Sequence, residues 1–305
     1  MDDSLPRSPR EPLVRPGEID CHVADMTATI SAQLPLNSAQ AALAKFNQWI
    51  PVDGDPAWPV GRLVEENSSG PLRLGFGAWR DLLLGCQFRI GDGRLITAGG
   101  RTMKNVAGYD LVKPMVGQRG LLGKIENITA RTYRRPEAAL LAEFEPSDRW
   151  LGEIICAPLR PRYAILTRES LLCGWLDDEK AISLYERLAA EFRPRRIVRR
   201  SLDEDIQHRA QIWRAPQRHF RASVPPTAIL EFAALAAIRE WVADAAFGIV
   251  IGPYNEIDVP AIETASQKCG GSVSFFAPNR PPRWASNPVE ESILKALKNA
   301  FARAG

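Results

Sequence analysis

Histidine and cysteine, the residues that most often build metal and nucleophile sites, are scarce in this sequence. Its 305 residues include three histidines, His22, His208 and His219, and none lies at a metal-ligand spacing from another. The five cysteines are odd in number and far apart, and they contain no C-x-x-C pair. This usage favours reduced thiols over a disulfide framework and gives no indication of a structural zinc. It is typical of a cytoplasmic protein.

Long apolar runs are also missing. No stretch reaches the roughly 18 apolar residues that a membrane span requires. Residues 1–17 hold four prolines and three arginines and lack the apolar core of a secretory signal, so we expect a flexible arm there. We therefore expect no transmembrane segment, and we expect any membrane association to be made through partners.

An excess of charge of one sign is missing as well. The 39 basic and 36 acidic residues leave a formal net charge of +3, whereas nucleic-acid-binding domains usually gather a basic excess on one face. The densest basic run, residues 193–200, alternates with Ile197 and Val198 and is typical of a solvated edge strand. We therefore expect no nucleic-acid partner.

The first part of the sequence indicates a sheet with tight turns. The chain is long enough for two domains of about 100–200 residues each. Eleven of its 22 glycines fall between Gly75 and Gly123. Two apolar alternations on either side of the Gly-Asp-Gly at 91–93 predict a β-hairpin, and residues 124–136 predict a further strand.

A short strand and a helix are predicted ahead of this glycine-rich region. Residues 18–25 alternate as a strand with Ile19, Cys21 and Val23 on one side. Asn37 and Gln40 then form a capping-box pair that predicts the start of a helix.

Residues 137–278 predict two copies of a β-α-β-β-α-β pattern, the order of a ferredoxin-like unit. The first copy has predicted strands at 139–144, 162–168, 170–176 and 195–200 and predicted helices near 147–156 and at 178–192. The second copy has predicted strands at 220–224, 247–254, 256–259 and 271–277 and predicted helices at 228–245, capped by Thr227, and at 259–269. Residues 279–305 then predict a C-terminal helix that returns to the first domain, because Asn287, Pro288 and Glu290 mark its start.

The glycine-rich region also contains a set of short motifs that is more specific than a lone G-x-G-x-x-G. The motifs are Asn67 with Ser69-Gly70-Pro71, the Gly-x-x-Arg-Asp element that ends at Arg80-Asp81, Asp92-Gly93, and the octapeptide K-N-V-A-G-Y-D-L at residues 104–111. With them, residues 67–125 resemble the PCMH-type FAD-binding domain of the vanillyl-alcohol oxidase superfamily. Within that superfamily they resemble the E subunit of bacterial glycolate oxidase.

The resemblance implies an α+β fold and FAD as the cofactor. It implies a PCMH-type FAD-binding domain over residues 18–136, shortened at its N-terminus, and a cap domain of two ferredoxin-like units over 137–278. The residues carried over as cofactor contacts are Val60, Gly61, Asn67, Ser68, Ser69, Gly120, Gly123 and Ile125. Residues without side chains would let backbone N–H groups approach the pyrophosphate. The residues expected to hold the loop in place are Lys104, Tyr109 and Asp110.

The resemblance also implies an activity and partners. The activity is FAD-linked oxidation of a 2-hydroxy acid, in a complex with a homologous flavoprotein subunit and an iron–sulfur subunit. No catalytic residue is assigned, because His208 and His219 have no orienting carboxylate close to them in the sequence.

Departures from the family pattern leave two alternatives open. Nothing before Cys21 matches the family's first pyrophosphate loop, Arg62 replaces the second of two adjacent glycines, and Glu65-Glu66 add negative charge. One alternative is a flavin-free pseudo-enzyme that serves as a scaffold subunit of the same kind of complex. The other is a module for a different anionic nucleotide, with Arg62 as the phosphate clamp.

Overall fold

The structure, a computed structural model, describes residues 12–100, 110–147, 151–156, 160–278, 283–284, 292, 295–296 and 299. These residues belong to two compact units. The first unit takes its described residues from Met1–Ser69, Gly77–Arg135 and Asn287–Gly305, and the second takes them from Gly70–Phe76 and Pro136–Ser286. The short segment Gly70–Phe76 therefore belongs to the second unit, although its neighbours on both sides in the sequence belong to the first.

The secondary structure is numbered along the chain. The strands are β1 (Ile19–His22), β2 (Thr27–Ser31), β3 (Gln48–Trp49), β4 (Leu83–Arg89), β5 (Leu95–Gly99), β6 (Lys124–Arg131), β7 (Tyr133–Arg134), β8 (Ala138–Phe144), β9 (Tyr163–Thr167), β10 (Leu171–Asp177), β11 (Arg196–Ser201), β12 (His219–Ser223), β13 (Val242–Asp244), β14 (Ile249–Pro253), β15 (Ser272–Phe276) and β16 (Arg283–Trp284). The α-helices are α1 (Leu36–Ala44), α2 (Val60–Glu65), α3 (Arg73–Phe76), α4 (Trp79–Leu82), α5 (Glu179–Glu191), α6 (Leu202–Ile212), α7 (Ile229–Leu235) and α8 (Val259–Lys268). Short 3-10 turns lie at Val23–Asp25, Lys113–Met115 and Pro226–Ala228, and a π-helical turn lies at Leu151–Ile155.

The first unit is built on a five-stranded antiparallel sheet with the strand order β1-β2-β6-β4-β5. The expected hairpin is confirmed as β4 and β5, which pair along their whole overlap. Gly93 in its turn has a φ of 86°, a conformation that glycine adopts without strain. The strand expected at 124–136 divides into β6 and β7, and β7 pairs with β3 in a separate two-stranded sheet.

The two faces of this sheet differ in chemistry because side chains alternate along each strand. In β2, Ala28 and Ile30 enter an apolar core that also takes residues from α1, α2 and α4. Thr29, between them, points to the other face, where its hydroxyl lies 3.1 Å from that of Thr129 on β6. Both threonines are buried, so the second face of the sheet is polar and yet shielded from solvent.

Residues 12–17, part of the segment expected to be a flexible arm, are hydrogen-bonded to this polar face. The N–H of Leu13 donates to Oε1 of Gln87 at 2.7 Å, and the N–H of Gly17 donates to Oγ of Ser31 at 3.0 Å. Gln87 and Ser31 are both buried. The remainder of the expected arm, residues 1–11, lies outside the described residues.

The capping box expected at the start of α1 is wrong. All residues of α1 are described, and the helix follows Pro35 without a side-chain cap. Its first N–H groups donate instead to the carbonyl oxygens of Trp58 and Pro56, at 3.0 and 2.9 Å. Gln40 uses its amide on Ile50, where Nε2 donates to the carbonyl at 2.6 Å and Oε1 accepts from the N–H at 3.0 Å.

The second unit contains a nine-stranded antiparallel sheet with the order β11-β8-β10-β9-β13-β14-β12-β15-β16. Strands β8 to β11 form one βαββαβ unit, and β12 to β15 form another. In each, the fourth strand pairs with the first and the third lies between the first and second. The two βαββαβ repeats, both within the second unit, join where β9 pairs with β13. The expected repeat is therefore confirmed, and β11 lies at the sheet edge, as its basic sequence predicts.

The sequence prediction is wrong for one strand of the second copy. The helix predicted at 228–245 ends at Leu235, and Ala237 follows with a left-handed φ of 53°. The chain then forms β13 in the gap between β9 and β14. Of residues 256–259, predicted as a strand, the first three form the turn that enters α8 and Val259 is its first helical residue. An alanine-rich segment has little strand preference of its own, so its two pairing partners determine its structure.

Two helix starts in the second unit also differ from prediction. Helix α6 has no counterpart in the repeat and was not predicted, although Ser201 and Glu204 form a capping box at its start. Glu204 accepts from the N–H of Ser201 at 2.8 Å, and the Ser201 hydroxyl oxygen accepts from the N–H of Glu204 at 3.2 Å. The cap predicted at Thr227 is wrong, because α7 starts after Ala228.

The expected C-terminal helix falls largely outside the described residues. Its described residues, Ser292, Lys295, Ala296 and Asn299, are helical and exposed. Across the described parts of the chain, no helix combines the length and the apolar character that crossing a bilayer would need.

Candidate cofactor-binding site

Helix α2 carries the first two residues expected to contact a cofactor. The N–H of Val60 donates to Leu34 O and that of Gly61 donates to Ala32 O, both at 2.9 Å. A Cβ on Gly61 would lie 2.6 Å from the Cβ of Ala32. The glycine is therefore required by the packing of α2 against the end of β2, and both N–H donors are already used within the protein.

The C-terminus of α2 is closed by a Schellman motif, which explains the residue at position 67. Asn67 has a φ of 51°, its N–H donates to Val64 O at 3.0 Å, and the N–H of Ser68 donates to Leu63 O at 2.8 Å. Asparagine tolerates this left-handed conformation better than most residues. The Asn67 side chain is exposed and has no hydrogen-bond partner in the described part of the chain.

The two serines that follow hold the buried indole of Trp79. The backbone N–H of Trp79 donates to Oγ of Ser69, and its Nε1 donates to the carbonyl of Ser68, each at 2.9 Å. The carbonyl of Ser69 also accepts from the N–H of Asp53 at 3.0 Å. Ser69 is thus engaged on both its hydroxyl and its carbonyl, whereas the half-buried hydroxyl of Ser68 has no partner among the described residues.

The segment 117–125 lies against the end of α2. The N–H of Gly117 donates to Val64 O at 3.0 Å, and the N–H of Arg119 donates to Glu65 O at 3.1 Å. A Cβ on Gly117 would lie 3.6 Å from the Cβ of Asn67. The structure therefore brings together the two groups of expected contact residues, which are about 50 positions apart in the sequence.

Gln118 braces this segment from within, a role that the sequence did not indicate. Its Nε2 donates to Gly123 O at 2.9 Å, and its Oε1 accepts from the N–H of Leu122 at 2.8 Å. The side chain is buried. The loop is therefore held in one conformation by a hydrogen-bonded side chain rather than by backbone pairing alone.

Gly120 and Gly123 have different environments. Gly120 is exposed with a φ of 75°, and a Cβ there would meet no atom within 4 Å. Gly123 has a φ of 149°, and a Cβ there would lie 2.5 Å from Arg89 O on the neighbouring strand. Gly123 is thus required by strand packing, whereas Gly120 leaves its backbone open. Neither N–H donates a hydrogen bond within the described residues.

Glu65 places a carboxylate beside the start of β6. Its Oε1 lies 3.5 Å from the N–H of the buried Ile125 and 3.4 Å from Nε2 of Gln118, so both contacts are long. Burial raises the pKa of the Glu65 carboxyl, and Glu66 raises it further, while the Ile125 N–H and Lys124 act in the opposite direction.

Arg62 is engaged on the surface of α2. Its guanidinium carbon lies 3.6 Å from the ring centroid of Trp58, and its Nε lies 2.8 Å from Oε1 of Glu66 one helical turn on. Because these neighbours already hold the side chain, the structure gives no support for Arg62 as a phosphate clamp.

Of the residues expected to hold the loop, Lys104 and Tyr109 lie outside the described residues. Oδ1 of Asp110 accepts from the N–H groups of Val112 and Lys113, at 3.0 and 3.2 Å, and so caps the 3-10 turn that follows.

No catalytic group is evident at this junction of α2 and the segment 117–125. Over the residues that the structure describes, no cluster of three or more His, Cys, Asp or Glu side chains could hold a metal ion. His208 and His219 both lie in the second unit. The imidazole of His219 stacks on Phe276 with 4.7 Å between centroids, and its Nδ1 lies 2.7 Å from Pro216 O.

The site offers three polar donors that have no hydrogen-bond partner among the described residues. The open N–H groups of Gly120 and Gly123 and the hydroxyl of Ser68 are donors of the kind that bind phosphate oxygens. Val60, Gly61, Ser69 and Ile125 are buried, and their polar groups serve the protein's own structure. The eight residues stay a prediction as cofactor contacts.

No protein-family model matches this chain, but several curated proteins match part of it, including the following three. Glycolate oxidase subunit GlcE of Escherichia coli (strain K12) is 36% identical over 151 residues, which is 48% of this chain and 43% of that protein. Glycolate oxidase subunit GlcD of Bacillus subtilis (strain 168) is 35% identical over 107 residues, which is 33% of this chain and 23% of that protein. The mitochondrial cytochrome-type D-lactate dehydrogenase of Arabidopsis thaliana is 27% identical over 121 residues, which is 40% of this chain and 21% of that protein. The chain spans less than half the length of these relatives.

The fold matches a solved structure over most of its length. An alkyldihydroxyacetonephosphate synthase superimposes with a TM-score of 0.59 at 12% identity, covering 91% of this chain and 62% of that one. The expected α+β fold class is thereby confirmed. Over part of its length the chain is similar to glycolate oxidase subunits and to a D-lactate dehydrogenase, and it has the PCMH-type FAD-binding fold with a cap of two ferredoxin-like units.

Proposed function

We propose that this protein is an FAD-binding subunit of a glycolate oxidase-like complex that oxidises a 2-hydroxy acid. The observation that carries the proposal is the junction of α2 with the segment 117–125, where Gly117 lies against Asn67 and Gly120, three residues on, has an open backbone. Residues 60–69 and 117–125, which meet at this junction, contain all eight residues that the family resemblance assigns to cofactor binding.

The expected contact residues would divide into three roles. Ser68, Gly120 and Gly123 would donate hydrogen bonds to the diphosphate, because their donors are open. Asn67 would shape the loop, and the buried Val60, Gly61, Ser69 and Ile125 would form the wall that holds these donors in place. Bound FAD would supply the hydride acceptor for the oxidation.

The partners we propose are a homologous flavoprotein subunit and an iron–sulfur subunit. Relatives named as both the E and the D subunit of glycolate oxidase support the first. The family resemblance alone supports the second. With no catalytic base at the described junction, we place the chemical step in the complex rather than in this chain by itself, and we place the complex in the cytoplasm, with membrane association through its partners.

A direct test is FAD binding by the purified full chain, measured from the quenching of flavin fluorescence. We expect Gly120→Asp to weaken binding at least tenfold, because a carboxylate would stand in the open space beside the diphosphate. Gly93→Asp is the matched control, since Gly93 also has a positive φ of 86° and a Cβ there would also meet nothing within 4 Å. Equal loss of binding in both variants would contradict the assignment of the site.

A second candidate function is a flavin-free scaffold subunit. Two observations favour it: the N–H groups of Val60 and Gly61 donate within the protein and are not free for a ligand, and the Glu65 carboxylate places an acidic group at the site. Co-expression with the homologous flavoprotein subunit separates the two functions. A chain that copurifies with a yellow partner but binds no FAD alone or in the complex would be a scaffold. A chain that carries its own stoichiometric FAD would be a flavoprotein.

A further inference from the structure

The second unit contains a polar cleft that the proposed function does not use. It has a volume of about 330 Å³ and lies between β11 and α6. Val198 and Arg200 line it from the strand, and Gln207, His208 and Gln211 line it from the helix. The helix residues are spaced at i, i+1 and i+4, so they present one face of α6 to the strand.

One wall of the cleft is fixed by a fully buried polar cluster beneath α6. Asp205 and Arg209 form an ion pair one helical turn apart, and the Tyr163 hydroxyl donates to Oδ1 of Asp205 at 2.6 Å. The Arg209 guanidinium carbon lies 5.0 Å from the centroid of the Tyr163 ring. Gly174 allows this arrangement, because a Cβ there would overlap that ring. The helix is therefore held to the sheet by residues that point away from the cleft.

Arg200 is the residue that gives the cleft its chemistry. Its Nη1 is buried and has no hydrogen-bond partner among the residues that the structure describes. A buried donor without an acceptor is costly, and more so when the donor is charged. Arg200 as a whole is half-buried and lines the cleft, so a small shift of its guanidinium would bring this donor to an acceptor bound there.

The neighbouring charges are already engaged elsewhere. Nη2 of Arg199 lies 2.6 Å from Oε2 of Glu186 and 3.1 Å from Oγ of Ser183 on α5. Glu204, the acid that lines the cleft, accepts from Ser201 at the start of α6, and the charge of Arg200 adds to the lowering of its pKa after these hydrogen bonds. This leaves Arg200 as the cation that faces the cleft without a hydrogen-bonded counter-ion at Nη1.

The remaining polar groups of the cleft add neutral donors. The amides of Gln207 and Gln211 are exposed and form no hydrogen bonds within the described residues. The pKa of His208 is lowered, first by burial and second by the positive charge of Arg200, so the imidazole is neutral at neutral pH and can donate through one nitrogen. The charged lining residues Arg199, Arg200 and Glu204 carry a net charge of +1, which, with the neutral donors, matches one negative charge.

We propose that the cleft between β11 and α6 binds the carboxylate of a small organic acid, with the Arg200 guanidinium as the charged donor and Gln207 and Gln211 as flanking donors. A planar guanidinium pairs with a planar carboxylate through two parallel hydrogen bonds. Val198 provides an apolar surface for the carbon skeleton. A phosphate dianion would leave one charge uncompensated. The inference concerns the second unit alone and does not depend on flavin binding.

The test is a titration of the full chain with sodium acetate, followed through the Nε–Hε signals of arginine by NMR, with sodium chloride at equal ionic strength as the reference. We expect saturable acetate shifts at Arg200 that chloride does not produce. Arg200→Gln should weaken acetate binding at least tenfold, and Gln211→Ala should weaken it less. Arg196→Gln is the matched control, because it removes the same charge from an exposed position on the same strand.

The outcomes separate clearly. Acetate binding that is lost in Arg200→Gln and kept in Arg196→Gln supports the proposal. Equal shifts with acetate and chloride would overturn it, as would binding that survives Arg200→Gln. Tight binding of sodium phosphate without acetate binding would also overturn it, in favour of a phosphate site. If Arg200→Gln changes the melting temperature markedly, the Gln211→Ala variant and the titration of the unaltered chain still decide the question.

Discussion

Arg73 and Asp244 are 171 positions apart in the sequence and form an ion pair in the second unit, with 2.8 Å between Nε and Oδ2. Their side chains are 18% and 1% exposed, so the aspartate is buried. The Arg73 guanidinium carbon also lies 4.0 Å from the ring centroid of Phe247. This contact ties the segment Gly70–Phe76 to β13, although the sequence on both sides of that segment belongs to the first unit.

Loss of this ion pair should destabilise the second unit strongly. Arg73→Met keeps much of the side-chain volume but removes the guanidinium that pairs with the buried Asp244 carboxylate, which costs about 3–5 kcal/mol. The free energy of unfolding from urea denaturation measures the effect. The double variant Arg73→Met with Asp244→Asn should recover part of the loss, since it removes the uncompensated charge. A double variant less stable than both singles would contradict this account.

The packing of Tyr163 over Gly174 gives a second prediction about stability. Gly174→Ala should destabilise the second unit by about 1–3 kcal/mol, because the added methyl displaces the ring and weakens its hydrogen bond to Asp205. Gly100→Ala is the control, since a Cβ there would meet nothing within 4 Å and the backbone φ is not positive. Thermal unfolding followed by circular dichroism compares them. Equal melting temperatures for the two variants would rule out the ring contact as a constraint.

Most of the fold could be predicted from alternation and turn residues, because these signals are local. The hairpin around Gly93 and the first βαββαβ copy follow from such patterns. The strand β13 does not, since nothing in its alanine-rich surroundings distinguishes it from a continued α7. These residues form a strand because they pair with β9 and β14 in the folded sheet. Helix α6 was predictable, because Ser201 and Glu204 carry a recognisable capping box.

The candidate site was harder to interpret because glycine has several uses. From the sequence, Gly61, Gly120 and Gly123 all suggest close approach of a ligand. The structure gives packing reasons for two of them, a contact with Ala32 for Gly61 and a contact with Arg89 O for Gly123. Ala32 and Arg89 are about 30 positions away from these glycines, so no local sequence pattern could distinguish Gly61 and Gly123 from Gly120. The bracing role of Gln118 had no sequence signal at all.

The titration of His208 provides a test of the electrostatics around α6. Burial is the larger cause of its lowered pKa and Arg200 is the smaller, so Arg200→Gln should raise the pKa only part of the way to its ordinary value. As the pH falls through about 6.5, the unfolded chain binds a proton before the folded chain does, so stability should decrease there. NMR titration of the imidazole carbons measures the pKa. A pKa of His208 above its ordinary value would contradict this assignment.

Cysteine reactivity should report on the two units separately. Burial, with a smaller contribution from Asp110, raises the pKa of Cys86 in the first unit to about 12, and burial also raises the pKa of Cys173 in the second. Cys156 is exposed. At about pH 8 a disulfide reagent should modify Cys156 rapidly, and Cys86 and Cys173 only when their units open, because a protonated buried thiol is unreactive.

Mass spectrometry of the labelled chain gives each rate. Arg73→Met should accelerate labelling of Cys173 more than that of Cys86, because the ion pair with Asp244 stabilises the unit that contains Cys173. When the free energy of opening falls, the open population increases, and the labelling rate increases in proportion to it. Gly100→Ala serves as the control that leaves both rates unchanged. Parallel acceleration of Cys86 and Cys173 in Arg73→Met would show that the two units unfold together, and the ion pair would then stabilise the whole chain rather than the second unit.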